Sequence, residues 1–263
     1  MKKIIVLLVA FALSFGLISC SSTKDLTTWE KIQEQGYFVV GLDDTFAPMG
    51  FRDDAGNVVG FDVDLAKEVA KRLGVNVIFQ PIDWDSKAFE LNSGTIDMIW
   101  NGLTITDSRL LEMSFSNPYL ANRQIVITNN DSTIDTISDL SGLKVGVQIS
   151  SASEEAVNAN DIVSSIGELV KYDTYTQALF DLKNGTIDAV VIDEIMGRYM
   201  LTQIEDTYKI ATEDFGTEEY GIGFRLEDTE LRDLFNQTLQ AMVDDGTAAQ
   251  ISMTWFGENI FLN

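Results

Sequence analysis

Apolar and polar residues alternate along this chain in blocks whose periods indicate helices and strands in turn. From Phe61 to Leu73 the apolar positions recur every three or four residues, which predicts one helix that ends at Gly74. Residues 88–93 form a second, shorter helical block. Short apolar runs predict strands at 38–41, 75–80 and 96–100. This β-α-β-α-β order predicts an α/β domain with a largely parallel sheet.

Part of this pattern returns later in the chain. The segment LNSGTID at 91–97 is echoed by LKNGTID at 182–188, 91 residues further on. In each copy a helix ends at a glycine, where positive φ carries no steric cost, and a buried strand begins. Chance similarity could produce this echo alone, but its neighbourhood matches as well. Around the second copy the pattern predicts strands at 144–147 and 189–192, and helices at 153–160 and 176–184. We therefore expect two α/β lobes of one plan.

The segments between the copies indicate where the chain passes from one lobe to the other. Asn117-Pro118-Tyr119 ends the first lobe, a new strand begins at 124–128, and the acidic segment 213–219 is predicted as a loop. A strand at 220–224 and a helix with an apolar stripe from Leu231 to Met242 follow. We expect a hinge of two paired strands. The predicted boundaries are 31–119 with 221–263 for lobe 1, 120–220 for lobe 2, and hinge crossings near 119–123 and 218–222.

The N-terminus carries an export pattern. Lys2 and Lys3 precede an apolar run over 4–18, which is too short to span a membrane comfortably, and Cys20 follows Ser19. This arrangement matches a bacterial lipobox, which predicts a signal peptide at 1–19, lipid on Cys20 and a flexible tether over 20–30. The alternative is an ordinary signal peptide with a chance cysteine.

Composition narrows the chemistry. The net charge is −23, and without Lys2 and Lys3 it becomes −25, which argues against nucleic acid as a partner. The chain has no histidine, so a Ser-His-Asp triad and a histidine metal site are excluded. Its one cysteine has no partner for a disulfide. Residues 53–57 favour a β-turn over a calcium loop. We expect no cofactor and no metal.

Two charged residues lie where a ligand would bind in such a fold. Ligands of open α/β sheets bind beyond the carboxyl ends of the strands. After the first echoed strand come Gly102, Thr104 and Arg109, and the arginine suits a carboxylate because its two N–H groups match two oxygens. The second echoed strand leads to Asp193, which suits an ammonium group. Together they describe the two ends of an α-amino acid, although such a pair is more often a surface salt bridge.

The chain resembles the polar amino-acid solute-binding proteins of ABC importers over essentially its whole mature length. The segments that carry this resemblance are GLDDTFAP at 41–48, GFDVDLA at 60–66, LTITDSR at 103–109, FSNPY at 115–119, VGV at 145–147, IDAV at 187–190, DGT at 245–247 and WFG at 255–257. The resemblance implies a two-lobed type II periplasmic-binding fold, each lobe a mostly parallel sheet flanked by helices.

The resemblance also implies roles for particular residues. Arg109 would clamp the ligand carboxylate with Thr104 and the backbone near Ser151 and Ala152, while Asp193 and the Gly102 carbonyl would hold the ammonium. Phe46 and Trp84 would sandwich the ligand side chain, whose polar end Asp43 and Gln148 would contact. At two places the sequence differs from the usual pattern of this family, and both differences affect which ligand fits. The loop at 150–153 lacks the usual Gly-Thr pair, so Ala152 offers only an amide, and Asn101 replaces a smaller residue.

The resulting hypothesis is a monomeric, lipid-anchored, extracytoplasmic protein that binds a polar amino acid, with either a cationic or a neutral side chain, and delivers it to an ABC permease. It is not expected to be an enzyme. Two alternatives remain: an enzyme with a cleft carboxylate on the same fold, and a lipoprotein that senses a ligand.

Overall fold

The structure is a computed structural model that describes residues 25–203 and 207–262. The predicted signal peptide and Cys20 lie outside the described residues. The strands are β1 (Tyr37–Leu42), β2 (Thr45–Phe46), β3 (Gly50–Arg52), β4 (Val58–Val59), β5 (Asn76–Pro81), β6 (Met98–Ile99), β7 (Ser114–Phe115), β8 (Leu120–Asn129), β9 (Lys144–Gln148), β10 (Glu168–Tyr172), β11 (Ala189–Asp193), β12 (Tyr208–Tyr220) and β13 (Gly223–Phe224).

The α-helices flank these strands. They are α1 (Thr28–Gln35), α2 (Phe61–Leu73), α3 (Lys87–Ser93), α4 (Asp107–Leu110), α5 (Ala152–Ala159), α6 (Tyr175–Lys183), α7 (Glu194–Gln203), α8 (Thr229–Asp244) and α9 (Thr247–Phe256). Short 3-10 turns lie at Trp84–Ser86, Ile137–Leu140 and Asp161–Ser164. The helices predicted from the apolar stripes are present, because each stripe covers one side of a sheet.

Two sheets of five strands define two lobes. The first lobe has the strand order β5-β1-β6-β13-β7, and the second has β10-β9-β11-β8-β12. In each sheet the first three strands are parallel and the last two pair antiparallel to their neighbours. Gly94 and Gly185 take positive φ values of 79° and 69° at the echoed positions. The prediction of two α/β lobes of one plan is therefore confirmed.

Two long strands carry the chain between the lobes. β8 leaves the first lobe and β12 returns to it, and they pair antiparallel with Leu120 opposite Tyr220 and Asn122 opposite Glu218. The prediction of a loop at 213–219 is wrong, since these residues belong to β12. An acidic composition is typical of a loop, but β12 is the outer strand of its sheet, where charged side chains reach solvent and discourage pairing with other chains.

The start of the first lobe also differs from the prediction. Thr27 and Glu30 form a capping box that begins α1 at Thr28, inside the segment 20–30 expected to be a tether. Trp29 packs against the main core cluster. Residues 28–30 therefore belong to the first lobe, because the cap satisfies the free N–H groups of the helix and the indole is partly buried.

Aromatic packing stabilises the first lobe. The ring of Phe235 from α8 meets Phe38, Trp100 and Phe224 edge-on, with ring centroids 5.3, 6.2 and 5.5 Å away. All four side chains are almost completely buried. This packing holds the sheet behind the loops described next. Across residues 25–203 and 207–262, none of the helices combines the length and apolar character needed to cross a bilayer.

Candidate functional site

The polar residues singled out in the sequence follow the carboxyl ends of parallel strands. Asp43 comes directly after β1, Gln148 ends β9 and Asp193 ends β11. Asn101 and Gly102 follow β6 closely, and Trp84 follows β5. In a parallel sheet these ends lie at one edge, and the edges of the two lobes face each other across a cleft.

One cavity in this cleft is lined by every ligand-binding residue predicted from the sequence. It is narrow and leaves about 10 Å³ of free volume between the lobes. Its lining residues are Asp43, Phe46, Trp84, Asn101, Gly102, Thr104, Arg109, Gln148, Ser151, Ala152 and Asp193. Phe46 and Asp193 are 147 positions apart in sequence and belong to opposite lobes, and both line this cavity.

Arg109 is buried at one side of the cavity. It lies on the short helix α4, whose N-cap Thr106 accepts a hydrogen bond from the Arg109 N–H. Its guanidinium donates to the Thr104 carbonyl at 2.8 Å and, across the cleft, to the Ser150 carbonyl at 3.3 Å. Burial lowers the pKa of Arg109, while the nearby carboxylates Glu218 and Asp193 oppose that shift. Arginine remains a cation under these conditions.

The loop before α5 faces Arg109 from the second lobe. Ser151 caps α5 by accepting from the Glu154 N–H at 3.1 Å, and Ala152 is the first residue of the helix. Free N–H groups at a helix N-terminus favour an anion. Ser150 has a φ of 56°, the one positive value at a described residue other than glycine. This residue begins the loop that lacks the usual Gly-Thr pair, and its carbonyl accepts from Arg109 across the cleft.

Asp193 lies on the second lobe among neutral donors. Its carboxylate accepts from Asn122 at 2.7 Å, Gln124 at 3.0 Å, Tyr220 at 2.7 Å and Tyr175 at 3.2 Å. Burial raises the pKa of Asp193, and these hydrogen bonds lower it. The hydrogen bonds fix the carboxylate in position without neutralising its charge, which leaves it suited to a cationic group.

A second carboxylate, that of Asp43, also lines the cavity. Asp43 accepts from Thr45 and, across the cleft, from the Gln148 amide at 2.8 Å. Burial raises the pKa of Asp43. The Asn101 carbonyl oxygen holds the Asp43 N–H at 3.1 Å, while the Asn101 amide nitrogen has no partner among the described residues. Asn101 therefore offers a free donor beside Asp43.

Two aromatic side chains also line the cavity. Phe46 and Trp84 are both buried, and the Phe46 ring lies 6.0 Å from that of Tyr175 in the second lobe. Gly102 makes room for Phe46. Its φ is 59°, and a Cβ atom there would lie 2.8 Å from the Phe46 ring. Any other residue at Gly102 would displace this wall.

Several functional candidates escaped the sequence analysis. Lys87 donates from α3 to the Trp84 carbonyl at 3.0 Å and across the cleft to the Ser150 carbonyl at 2.8 Å. Burial, followed by the charge of Arg109, lowers the pKa of Lys87 to about 7. Tyr175 and Glu218 also face the site. The position of Lys87, about one helical turn after Trp84, could have indicated a role in the site. Glu218 was missed because residues 213–219 were predicted to form a loop.

The described ranges, 25–203 and 207–262, contain no cluster of three or more histidine, cysteine or acidic side chains able to hold a metal ion. Asp53 instead closes the turn at 53–57 by accepting from the N–H groups of Ala55 and Asn57 at 3.0 and 2.8 Å. This geometry agrees with the β-turn that the sequence favours.

Comparison with known proteins decides the family. The model of the bacterial extracellular solute-binding proteins, family 3, matches residues 38–258. The chain belongs to this family. The resemblance to amino-acid solute-binding proteins is confirmed, and the two-lobed fold with it. Members of the family act outside the cytoplasm, as its description states.

Several relatives are named as binding proteins for amino acids or were solved with an amino acid bound. An ABC uptake transporter substrate binding protein from Streptococcus pneumoniae, solved with bound histidine, superimposes with a TM-score of 0.86 at 38% identity, covering 89% of this chain and 98% of that chain. The L-cystine-binding protein TcyJ of Escherichia coli (strain K12) is 34% identical over 253 residues, 95% of this chain and 94% of its own length. The arginine-binding extracellular protein ArtP of Bacillus subtilis (strain 168) is 30% identical, covering 97% and 98%.

One structural neighbour has a link to catalysis. An ancestral amino acid-binding protein described as a precursor of cyclohexadienyl dehydratase superimposes with a TM-score of 0.82 at 32% identity, covering 88% of this chain and all of that chain. The relatives above are named as binding proteins, and even this neighbour is named as one. Binding is therefore the activity that the comparisons support for the family.

Proposed function

We propose that this protein binds a cationic amino acid in the cleft and delivers it to an ABC importer. The observation that carries this proposal is the charge of the cavity lining. Arg109 contributes one positive group, and Asp43 and Asp193 contribute one negative group each. A cationic amino acid has the complementary set, with one carboxylate and two cations.

Each charge of the ligand has one suitable partner. Arg109, together with the N-terminus of α5, suits the α-carboxylate, since the guanidinium presents a planar fork. Asp193 and the Gly102 carbonyl suit the α-ammonium. Asp43 is left for the side-chain cation, because the donors that it accepts from, Thr45 and Gln148, are neutral. A neutral side chain would leave a buried carboxylate without a charged partner.

The aromatic walls support the same ligand class. Phe46 and Trp84 both line the cavity beside Asp43. A planar guanidinium or an ammonium between aromatic faces gains cation–π attraction in addition to the contact area. A relative named as arginine-binding and a related structure solved with histidine are consistent with this choice. L-arginine is therefore the first ligand to test.

A matched pair of ligands tests the assignment of Asp43. L-arginine and L-citrulline have nearly the same shape, but only arginine has a charged side chain. We expect the wild type to prefer arginine, and Asp43→Asn to weaken arginine binding by about 10- to 100-fold, as expected for a lost charge-assisted hydrogen bond. Citrulline binding should change much less. Calorimetric titration of both ligands measures this difference.

The matched control is Asp44→Asn, which removes the neighbouring carboxylate that pairs with Arg52 at the surface. It should leave both affinities unchanged. Equal losses for arginine and citrulline in Asp43→Asn would contradict a contact with the side-chain cation. If a thermal-shift screen of the amino acids found no stabilising ligand, the proposed function itself would be wrong, because a ligand that binds only the native state raises its melting temperature.

We propose binding without turnover. Arg109 and Asp193 hold both ends of the ligand by groups suited to its ground state, and a receptor requires nothing more. The link to a dehydratase precursor makes a direct test worthwhile. Ligand incubated with the protein should be recovered chemically unchanged by mass spectrometry.

We further propose that the protein is attached outside the membrane by lipid on Cys20. The lipobox pattern and a family of extracellular proteins support this proposal. Cys20→Ala should release the protein from membranes without changing ligand affinity, because the acyl chains supply the anchoring and lie far from the cleft in sequence. Detergent-phase partitioning measures the release, with Ser21→Ala as the matched control. Membrane retention of Cys20→Ala would contradict the lipid anchor.

A further inference from the structure

Glu218 lies on the crossing strand β12, which β8 separates from β11, the strand that carries Asp193. The two carboxylates accept from the same two amides. Asn122 donates to Asp193 at 2.7 Å and to Glu218 at 2.6 Å, and Gln124 donates to them at 3.0 and 2.8 Å. Two acidic side chains are therefore gathered around one pair of neutral donors.

Glu218 also connects the lobes. Its carboxylate accepts from the Thr104 hydroxyl of the first lobe at 2.8 Å, while Asp193, which shares its donors, belongs to the second lobe. Its backbone lies opposite Asn122 in the pair of crossing strands. Glu218 thus lies between two residues proposed to bind opposite ends of the ligand, at the point where the lobes are joined.

Charged and ionisable groups on several elements surround Glu218. Asp193 faces it from β11, and Arg109 from α4 interacts with both carboxylates through space. The charge of Glu218 also contributes to raising the pKa values of Tyr175 on α6 and Tyr220 on β12. The direct donors Thr104, Asn122 and Gln124 are all neutral. Among residues 25–203 and 207–262, no cation donates a hydrogen bond to Glu218 that would compensate the second negative charge.

Asp193 is buried and Glu218 is partly buried, and two carboxylates this close do not both ionise easily. Burial first and the charge of Asp193 second raise the pKa of Glu218 to about 7. A protonated Glu218 adds no second negative charge beside Asp193. The charge of the lining then remains the complement of a cationic amino acid.

We propose that Glu218 is a positioning residue that holds a proton beside Asp193 until the ligand ammonium binds, and then releases this proton to solvent. The inference rests on the proposed function, since it requires an ammonium group at Asp193. The ammonium supplies the positive charge that the carboxylate pair lacks, so both carboxylates are then stable as anions. Binding one amino acid is thereby coupled to the loss of one proton from the crossing strands.

The sign of the pH dependence follows from this exchange. Where Glu218 is protonated before binding, each binding event must remove the proton, so affinity is lower in acid. Affinity should rise by about tenfold from about pH 6 to about pH 8, because the ionised fraction rises by that factor around a pKa of about 7. L-arginine is the suitable probe, since none of its own groups titrates in this range.

Calorimetry of L-arginine binding near neutral pH in two buffers of different ionisation enthalpy measures the protons released. The wild type should release about half a proton per arginine at about pH 7. Glu218→Gln keeps a neutral side chain able to donate to Asp193, so it should still bind arginine, release no proton at this position and show a flat affinity between about pH 6 and about pH 8. The matched control is Glu219→Gln, at the exposed neighbouring position, which should behave as the wild type.

Other groups near the cleft also titrate near neutrality, namely Lys87 and Asp62, whose pKa values are about 7. Proton release that persists unchanged in Glu218→Gln would assign the effect to them and overturn this inference while leaving arginine binding intact. A wild type that binds arginine without releasing a proton would overturn it as well, whether or not the variant folds. If arginine and the other amino acids failed to bind at all, the proposed function would fail together with the inference.

Discussion

Replacing Arg109 with alanine is expected to raise the dissociation constant for L-arginine by about 100- to 1,000-fold or more. The change removes the group proposed to bind the α-carboxylate and leaves that carboxylate unpaired in a buried cavity, at a cost of about 3–5 kcal/mol. Arg109→Lys should recover only part of the loss, because an ammonium cannot form two parallel hydrogen bonds. Calorimetric titration of the three proteins provides the comparison.

Arg232→Ala is the matched control for this experiment. Its guanidinium lies on α8 and pairs with the adjacent Asp233, so its loss should leave affinity unchanged. The variant Arg109→Ala also loses hydrogen bonds to the carbonyls of Thr104 and Ser150, so its melting temperature without ligand should be recorded. Wild-type affinity in a folded Arg109→Ala protein would remove this residue from the binding site.

Asp193→Asn is expected to weaken both ligand binding and closure of the lobes. Binding should fall by about 30-fold or more, because the ligand ammonium would meet a neutral partner in a largely desolvated cleft. Closure should fall too, since a ligand shifts a two-state equilibrium only through contacts that differ between the states. Asp193 belongs to the second lobe and Arg109 to the first, so one amino acid bound by both favours the closed arrangement.

Small-angle scattering with and without L-arginine measures closure. The wild type should become more compact on saturation, and Asp193→Asn should respond less at equal occupancy. The exposed Asp233→Asn serves as the control for the lost charge. A saturated wild type with the radius of gyration of the empty protein would contradict two-lobe closure, even with binding established. Trp84 fluorescence offers a second signal, because its side chain lines the cavity.

The periodic pattern predicted most of the parallel framework correctly. The helix over 61–73 and the helix ends at Gly94 and Gly185 follow from local rules, since an amphipathic stripe and a glycine at positive φ depend on few neighbours. The strand ends predicted that Arg109 and Asp193 would face one cleft, and the resemblance to the family implied the other lining residues; all of them line one cavity. Parallel strands place their carboxyl ends at one edge whatever the details of packing.

The misassigned segments have a common physical cause. Residues 213–219 form part of β12 because the backbone of β8 pairs with them, and a charged edge strand shows no apolar alternation in sequence. Residues 28–30 belong to α1 because a capping box begins the helix there. In both places, hydrogen bonds to the backbone determined the secondary structure, although the composition suggested a loop or a tether.

By itself, the sequence determined the order of strands and helices, the repetition of one plan in two lobes, and the set of residues that line the cleft. Only the tertiary structure decided how these side chains interact. Lys87 and Arg109 converge on the Ser150 carbonyl, and Glu218 shares its amide donors with Asp193. These contacts join residues far apart in the chain, and their energies come from burial and from neighbouring charges, which no local pattern records.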